Sequence, residues 1–184
     1  MEEVKRVERN LIHRGHVLDY YEDTMEMPDG KRHVWDTVVH HGAAAVVPVR
    51  EDGKILFVRQ YRNPVERETI EIPAGKKDTP DEDTRSCAVR ELEEETGYQA
   101  DHVERLLKFS SAIAYSTELI DIYLATGLHK TEAHPDEDEF IDVVAMSPEE
   151  IMEKIFAGTI VDSKTIAGVL AYCVKNHIEI GGIK

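Results

Sequence analysis

The sequence has very little cysteine: Cys87 and Cys173 are the only two among its 184 residues. This scarcity argues against a disulfide framework and against a metal site built on cysteine. The sequence also lacks any run of about 18 apolar residues, the length that a membrane-spanning helix needs. Its first residues, MEEVKRVERN, are charged and contain no hydrophobic signal region. We therefore expect a globular protein without a membrane span, located in the cytoplasm.

Positive charge is also scarce, because 22 lysines and arginines face 37 aspartates and glutamates, for a formal net charge of −15. Nucleic-acid affinity comes largely from basic side chains that neutralise phosphates, so this balance argues against a nucleic-acid partner. An acidic protein acts on phosphates when a divalent cation lies between the two. With 41% hydrophobic residues, the chain is able to bury the core of one domain with a small appendage.

Residues 1–40 are polar and contain a turn signal at Pro28-Asp29-Gly30-Lys31, followed by an extended segment at 34–39. This pattern predicts a small antiparallel sheet. Such a sheet is only marginally stable alone, so we expect it to pack on the main body or on a second subunit. The main domain is expected over residues 41–184.

The rest of the chain alternates apolar runs with helix signals. Two runs flanking Glu51-Asp52-Gly53-Lys54 have the composition of a hairpin, and hydroxyl-proline-acid starts at Thr79 and Ser147 predict helix N-termini. Gly97 and Gly158 are expected to end these two helices. The predicted strands are 43–49, 55–61, 69–73, 103–109, 118–125 and 140–145, and the predicted helices are 80–96, 148–157 and 163–176. Mixed strands flanked by helices indicate an α/β or α+β sandwich.

Three acidic residues stand together on the first predicted helix. Glu91, Glu94 and Glu95 have i, i+3 and i+4 spacing, so their carboxylates share one face. Like charges repel there, and the cluster is either a solvated surface or a site for a divalent cation, since carboxylate oxygens are hard ligands suited to Mg²⁺ or Mn²⁺. Spacing alone favours the solvated surface.

The surroundings of this cluster favour the metal site. Gly75 and Glu82 precede the run Arg90-Glu91-Leu92-Glu93-Glu94-Glu95-Thr96-Gly97. The whole resembles the box of the Nudix hydrolase family: Gly, five residues, Glu, seven residues, Arg-Glu, an aliphatic, any residue, Glu-Glu, any residue, Gly. Six residues rather than five separate Gly75 from Glu82. The chain is identified as a Nudix family member, which implies the Nudix fold, an α/β/α sandwich of mixed sheet and helices.

The resemblance also implies roles for the residues of the box. Glu91 and Glu95 are expected to be the main ligands of Mg²⁺, or of Mn²⁺, with Glu94 as a further ligand and the Ala74 carbonyl as another oxygen donor. Glu94 and Arg90 are also expected to be catalytic residues. Arg90 is also expected to pair with Glu82. The implied reaction is hydrolysis of a nucleoside diphosphate linked to another group.

Outside the box, the chain is similar to the branch of the family that hydrolyses ADP-ribose or ADP-sugars. In that branch the N-terminal sheet is exchanged between subunits and the substrate lies across the dimer interface, so the resemblance implies a homodimer that binds a nucleotide sugar. Residues 1–40 would then serve dimerisation and adenine binding. The segments that carry the similarity are 30–35, 58–64, 71–75 and 136–143.

By the same resemblance, Trp35 stacks on adenine, Arg62 and Arg59 contact the diphosphate, and Glu118 belongs to the substrate-binding residues. An aromatic face and a guanidinium fork suit these two tasks. Each residue also has an ordinary alternative, since Trp35 would equally pack in a strand and the arginines would equally lie on a surface strand.

The acidic loop before Phe140 supplies two further catalytic candidates. Glu137 is expected to be the base and Glu139 a metal ligand, although the two roles are exchangeable. Ile113-Ala114 replaces the Pro-Gly common in this branch, which affects the sugar side of the site. The alternatives are a hydrolase of GDP-mannose or ADP-glucose, and a catalytically silent Nudix domain that senses a nucleotide.

Overall fold

The computed structural model describes residues 3–131 and 140–178, and in these residues it contains ten strands and three α-helices. The chain divides into two compact units. The first comprises residues 1–42 and 110–119, and the second comprises residues 43–109 and 120–184. The expected boundary after residue 40 lies two residues before the observed one. Residues 110–119, which we expected in the main domain, belong to the first unit.

The first unit is built on a three-stranded antiparallel sheet in the order β1 (Lys5–Arg14), β2 (Asp19–Glu26) and β3 (Arg32–Val39). The β2–β3 turn depends on Gly30, whose φ of 79° lies in the left-handed region that glycine tolerates. The Gly30 amide donates to the Met27 carbonyl at 2.9 Å and closes the turn. The predicted small N-terminal antiparallel sheet is therefore confirmed.

The second unit contains most of the remaining strands, arranged in two sheets. A four-stranded sheet has the order β7-β4-β9-β8, in which β4 and β9 run parallel, and a three-stranded antiparallel sheet has the order β10-β5-β6. The strands are β4 (Ala43–Pro48), β5 (Ile55–Arg62), β6 (Arg67–Glu71), β7 (Ala74–Lys76), β8 (Tyr98–Ser110), β9 (Leu119–Lys130) and β10 (Asp142–Met146).

The expected hairpin between the first two strands of this unit is wrong. β4 and β5 are joined by a tight turn at Gly53 but belong to different sheets, and Val49 and Ile55 form an isolated bridge between the two segments. The reason is that every residue of β4 is buried. A strand covered on both faces needs partners on both edges, and β4 finds them in β7 and the parallel strand β9.

Helix α1 (Thr84–Thr96) begins four residues later than the sequence predicts. Asp83 is its N-cap, because the Asp83 carboxylate accepts from the Ser86 amide at 3.0 Å. Thr79, the predicted cap, lies in a turn before the helix, where its carbonyl accepts a hydrogen bond from the Glu82 amide. The predicted end of α1 is confirmed, since Gly97 caps the helix with a φ of 68°.

The other two helices follow their predictions closely. Helix α2 (Pro148–Phe156) starts with the expected capping box, in which the Ser147 hydroxyl and the Glu150 carboxylate each accept the other residue's amide. Its C-cap is Ala157, one residue before Gly158. Helix α3 (Ser163–Lys175) has Asp162 as its N-cap. None of the helices in residues 3–131 and 140–178 is long and apolar enough to cross a membrane.

The core is organised around β4, whose two faces contact different helices. Ala44 and Val46 belong to clusters that include α1 side chains, whereas Ala45 and Val47 belong to the main core with Val169 of α3. Each fully buried aliphatic side chain there stabilises the fold by about 1.5–3 kcal/mol. Helices therefore cover both faces of a mixed sheet, which confirms the predicted α/β/α sandwich.

Candidate active site

The acidic face of α1 packs beneath the short strand β7. Glu91 and Glu95 are 9% and 4% exposed, so these two carboxylates are not part of a solvated surface. The Glu94 side chain is 39% exposed at the edge of the same face. Burying charged carboxylates is costly unless they receive hydrogen bonds or bind cations. Two buried glutamates in one helix turn therefore indicate a functional site.

Gly75 in β7 lies directly against the Glu91 carboxylate. A Cβ atom built on Gly75 would stand 2.0 Å from Oε1 and 2.4 Å from Oε2 of Glu91. Any side chain at position 75 would therefore displace this carboxylate. The glycine of the box is needed here for close approach rather than for a left-handed backbone.

Glu95 is held by the same strand. Its Oε2 accepts a hydrogen bond from the Ala74 amide at 3.0 Å. Strand β7 is in turn fixed by antiparallel pairing with β4. The backbone of β7 thus contacts both buried carboxylates and sets their positions relative to the sheet.

Arg90 connects the acidic residues of the box to one another. Its Nη1 donates to Glu91 Oε1 at 2.7 Å and to Glu94 Oε2 at 2.9 Å, and its Nη2 donates to the Lys76 carbonyl at 3.2 Å. Arg90 Nε lies 3.5 Å from Glu82 Oε1. Arg90 and Glu82 are therefore neighbours, and the Glu82 Oε2 atom accepts from the backbone amide of Asp78 at 2.7 Å.

The electrostatics of this cluster favour the charged form of Arg90. Burial alone would lower the pKa of Arg90, but the Glu91 charge and the Glu94 hydrogen bond outweigh it and raise the pKa. The neighbouring Cys87 thiol shows the opposite case. Burial, together with the Glu82 and Glu91 charges, raises the pKa of Cys87 to about 12, so this thiol stays protonated.

The donor set of α1 fits a hard divalent cation. Glu91, Glu94 and Glu95 offer carboxylate oxygens on one helix face. Gly75, which lies against Glu91, has no side chain that would cover it. Within residues 3–131 and 140–178, however, no three acidic, histidine or cysteine side chains converge on one point as metal ligands. Instead, Glu91 and Glu94 accept hydrogen bonds from Arg90, and Glu95 accepts one from the Ala74 amide. The predicted ligand set remains a prediction.

Arg62 forms a bidentate ion pair with a buried carboxylate. Its Nε and Nη2 donate to Glu71 Oε1 and Oε2 at 2.9 and 2.8 Å. Glu71 also receives the Thr69 hydroxyl at 2.6 Å and the Lys164 ammonium. Burial would raise the pKa of Glu71, but the Arg62 hydrogen bond and the Lys164 charge outweigh it and lower the pKa to about 2.

Arg59 and Arg62, both expected to contact a diphosphate, lie on opposite faces of β5. Successive side chains of a strand alternate, so Arg59 shares its face with the core residue Phe57, and Arg62 points the other way. Arg59 is half-buried, and it makes no ion pair or side-chain hydrogen bond to a residue within the described ranges. The two guanidinium groups do not form one cluster.

In the first unit, Trp35 belongs to a row of residues across the sheet. The Cα partners are Arg9 with Asp23 and Asp23 with Trp35. Asp23 is 4% exposed and accepts two hydrogen bonds from Arg9, at 2.7 and 2.6 Å, and one from Thr37 at 2.8 Å. Trp35 itself is 48% exposed, so about half of its surface is open to a ligand or a subunit.

The other predicted substrate residue of this unit, Glu118, is half-buried beside His40. Its Oε1 lies 3.3 Å from His40 Nδ1, and its backbone amide donates to the Ser116 hydroxyl at 3.1 Å. The Ile113-Ala114 stretch lies in a turn before it, and Ile113 is 88% exposed. Glu137 and Glu139 lie outside the described residues.

Lys164 was missed from the sequence entirely, because no local pattern links it to Glu71, 93 positions away. Arg9 and Asp23 were missed for a related reason. Their pairing depends on the register of β1 on β2, which alternating polar strands do not specify strongly.

The structure is a mixed α/β/α sandwich, as the resemblance predicts, and its helix α1 carries buried carboxylates, one of which lies against Gly75. The family model of the NUDIX domain matches residues 39–167. The chain therefore belongs to the Nudix family, and that prediction is confirmed.

Individual relatives are similar over nearly the whole chain. The "Methanol dehydrogenase activator" of Bacillus methanolicus is 40% identical, with 91% of each chain covered. The "ADP-ribose pyrophosphatase" of Bacillus subtilis (strain 168) is 37% identical, with 96% of each covered. A solved structure described as "Crystal structure of ADP compounds hydrolase" superposes with a TM-score of 0.84 over 97% of both chains, at 20% identity, and supports the fold.

Proposed function

We propose that this protein hydrolyses the pyrophosphate bond of a nucleotide sugar, with ADP-ribose cleaved to AMP and ribose 5-phosphate. The observation that carries the proposal is the assembled box, in which Gly75 approaches Glu91, the Ala74 amide binds Glu95 and Arg90 joins Glu91 to Glu94. A silent nucleotide sensor would have no need to keep these carboxylates buried. The 37% identity to an ADP-ribose pyrophosphatase supports the choice of substrate.

The cofactor of this reaction is proposed to be Mg²⁺, with Mn²⁺ as a substitute. Glu91, Glu94, Glu95 and the Ala74 carbonyl would hold the cation, with Glu139 as a further ligand. When bound, it neutralises the pyrophosphate and lowers the pKa of the attacking water. Arg90 keeps Glu91 and Glu94 directed toward each other.

The remaining catalytic and substrate roles rest on the resemblance. Glu137 is proposed as the general base, and its role remains exchangeable with that of Glu139. Trp35 is proposed to stack on adenine, Glu118 to contact the substrate, and Arg62 to bind the diphosphate after it leaves Glu71. Because Arg59 has no ion-pair partner in the described residues, it is a second candidate for the diphosphate.

The decisive experiment measures hydrolysis of ADP-ribose by the wild type, Glu95→Gln and Glu93→Gln, with Mg²⁺ present. Glu93 is the matched control, because it lies on the same helix but its carboxylate accepts from Gln99 at 2.8 Å rather than from Arg90 or β7. We expect AMP and ribose 5-phosphate in equal amounts and a turnover in Glu95→Gln reduced at least about 100-fold. Near-normal turnover in Glu95→Gln at saturating Mg²⁺ would refute the assignment.

The substrate is tested separately with GDP-mannose and ADP-glucose, the alternatives within the class. We expect the highest kcat/KM for ADP-ribose and measurable turnover of ADP-glucose, because the altered Ile113-Ala114 turn concerns the sugar side. A kcat/KM for GDP-mannose well above that for ADP-ribose would exclude the ADP-ribose substrate while leaving the hydrolase chemistry in place.

We also propose a homodimer in which the sheet β1–β3 is exchanged between subunits. Every residue of β1 is exposed, including Leu11 at 43% and Ile12 at 51%, and Val34 of β3 is 62% exposed. Such apolar exposure on a short sheet is stabilised when a second copy covers it. Sedimentation at micromolar concentration should give the mass of a dimer, and an active monomer would contradict the proposal. A cytoplasmic location and the absence of nucleic-acid binding stay predictions.

A second candidate function follows from the 40% identity to a methanol dehydrogenase activator. The protein would then stimulate a dehydrogenase, and its intact box favours stimulation that depends on hydrolysis. Adding wild-type protein or Glu95→Gln to methanol dehydrogenase separates the possibilities. Stimulation by the wild type alone supports an activator that uses the hydrolytic site, and no stimulation by either protein eliminates this function.

A further inference from the structure

Lys164, near the start of α3, is a partly buried cation that contacts Glu71, the partner of Arg62. Its side chain is 13% exposed, and its ammonium group lies against Glu71 Oε2 and 3.0 Å from Asp162 Oδ1. A buried ammonium is costly unless it is paired. The position of Lys164 is therefore determined by Glu71, whose own side chain is only 5% exposed.

Glu71 is consequently shared between two cations. Arg62 binds both of its oxygens in bidentate fashion, and Lys164 also donates to one of them, Oε2. The two cations differ in access to solvent, because the Arg62 side chain is 39% exposed. Arg62 is thus able to move, whereas Lys164 is fixed between Glu71 and Asp162.

This difference has an energetic consequence. If Arg62 leaves to bind a phosphate, a buried Glu71 without a second cation would become an unpaired charge, which is strongly unfavourable. With Lys164 in place, Glu71 keeps one ionic partner and the Thr69 hydroxyl. Lys164 therefore lowers the cost of releasing Arg62.

The start of α3 also fixes the backbone beside Glu71. The Thr165 hydroxyl accepts from the Ile72 amide at 2.9 Å and donates to the Asp162 carboxylate at 2.6 Å. Ile72 is followed two residues later by Ala74, whose amide holds Glu95. The same anchoring therefore positions Glu71 relative to the acidic face of α1.

We propose that Lys164 is a positioning residue, which holds the buried Glu71 in place so that Arg62 exchanges Glu71 for the diphosphate of the substrate. This inference rests on the proposed function, because it assigns the phosphate contact to Arg62. It predicts that Lys164 acts on substrate binding more than on turnover.

The test compares Lys164→Met with Lys175→Met. Lys175 is the matched control, because it lies on the same helix, is 44% exposed and pairs with Glu104 at the surface. Without Lys164, Arg62 is the only cation left for Glu71 and is retained by it. We expect the KM for ADP-ribose to rise about tenfold in Lys164→Met with kcat changed less than about threefold, and no change in Lys175→Met.

Two further variants identify the cause. Lys164→Arg keeps the cation and should keep a KM near that of the wild type. Lys164→Met combined with Glu71→Gln removes both charges, so Arg62 is released and KM should return to within about threefold of the wild type. A KM in this double variant as high as in Lys164→Met overturns the proposal. If Lys164→Met alone does not fold, the double variant is compared with the wild type, and a tenfold higher KM in the double variant overturns the proposal.

A measurement without turnover separates this inference from the proposed function. The NMR signal of the Arg62 Nε–H group, assigned by its loss in Arg62→Lys, is followed while inorganic pyrophosphate and Mg²⁺ are added. We expect the signal to shift at lower pyrophosphate concentration in the wild type and Lys175→Met than in Lys164→Met. Equal titrations would overturn the role of Lys164. Failure of the wild type to hydrolyse ADP-ribose would overturn only the proposed function.

Discussion

Replacing Gly75 with alanine should inactivate the site with only a moderate effect on folding. The added Cβ would stand 2.0 Å from Glu91 Oε1, whereas real Cβ contacts essentially never fall below 3.0 Å. The Glu91 carboxylate must therefore retreat by about 1 Å, and its hydrogen bond to Arg90 at 2.7 Å opposes this movement. A misplacement of about 1 Å in an active site costs about 100-fold in rate.

The stability change should be smaller than the loss of activity. Overpacking costs about 1–3 kcal/mol, and the backbone of Gly75 is not left-handed, so alanine adds no conformational strain. Initial rates with ADP-ribose at saturating Mg²⁺ and urea unfolding measure the two effects on the same protein. We expect kcat reduced at least about 100-fold while the unfolding transition remains cooperative.

A double variant tests whether the contact with Glu91 is the cause. Glu91→Asp shortens the side chain by one methylene and relieves the overlap with an alanine at position 75. The combined variant should recover stability but not activity, because its carboxylate stays displaced. Wild-type kcat in Gly75→Ala, or equal instability of the single and double variants, would refute this reasoning.

Three further predictions concern groups outside the metal face. Because the pKa of Glu71 is about 2 in the folded protein and ordinarily 4.5, its ionisation stabilises the fold fully above about pH 4.5, and this stabilisation is lost as the pH falls toward 2. The melting temperature of Glu71→Gln should therefore fall less between pH 5 and pH 3 than that of the wild type, and parallel curves would contradict this. Trp35→Ala should mainly raise the KM for ADP-ribose, because adenine stacking is equal in the ground and transition states; unchanged kinetic constants would exclude stacking. The Cys87 thiol should resist iodoacetamide at pH 8 in the native protein, as checked by mass spectrometry, and labelling as fast as in urea would show that it is accessible.

The parts of the site that follow from the sequence are those set by local spacing. Glu91, Glu94 and Glu95 share a helix face whatever the rest of the fold does, and Gly97 ends that helix because only a few residues adopt its left-handed φ of 68°. The start of the same helix was less predictable. Thr79 was the predicted cap, but Asp83 is the observed one, and the Glu82 carboxylate instead accepts from the Asp78 amide.

Long-range pairing accounts for the errors. A turn between two apolar runs resembles a hairpin, yet the unbroken burial of β4 required partners on both of its edges. The absence of alternation in Ala43-Ala44-Ala45-Val46-Val47 was the available signal for this arrangement. The contacts of Arg62 were beyond local reasoning as well. Whether a guanidinium group is available to a substrate depends on the buried Glu71 and on Lys164, which the fold brings together across 93 positions.

The charges of the box explain how an acidic protein is suited to a polyanionic substrate. Glu91, Glu94 and Glu95 present three carboxyl groups, and Arg90 donates hydrogen bonds to the first two and supplies one positive charge. Carboxyl groups therefore outnumber the guanidinium group on this helix face, and the proposed divalent cation would add positive charge there. Because Arg90 also binds the Lys76 carbonyl, it stays anchored to β7 if the carboxylates turn toward a cation. The same arginine therefore stabilises Glu91 and Glu94 as they stand, and it would limit their movement once the proposed cation is bound.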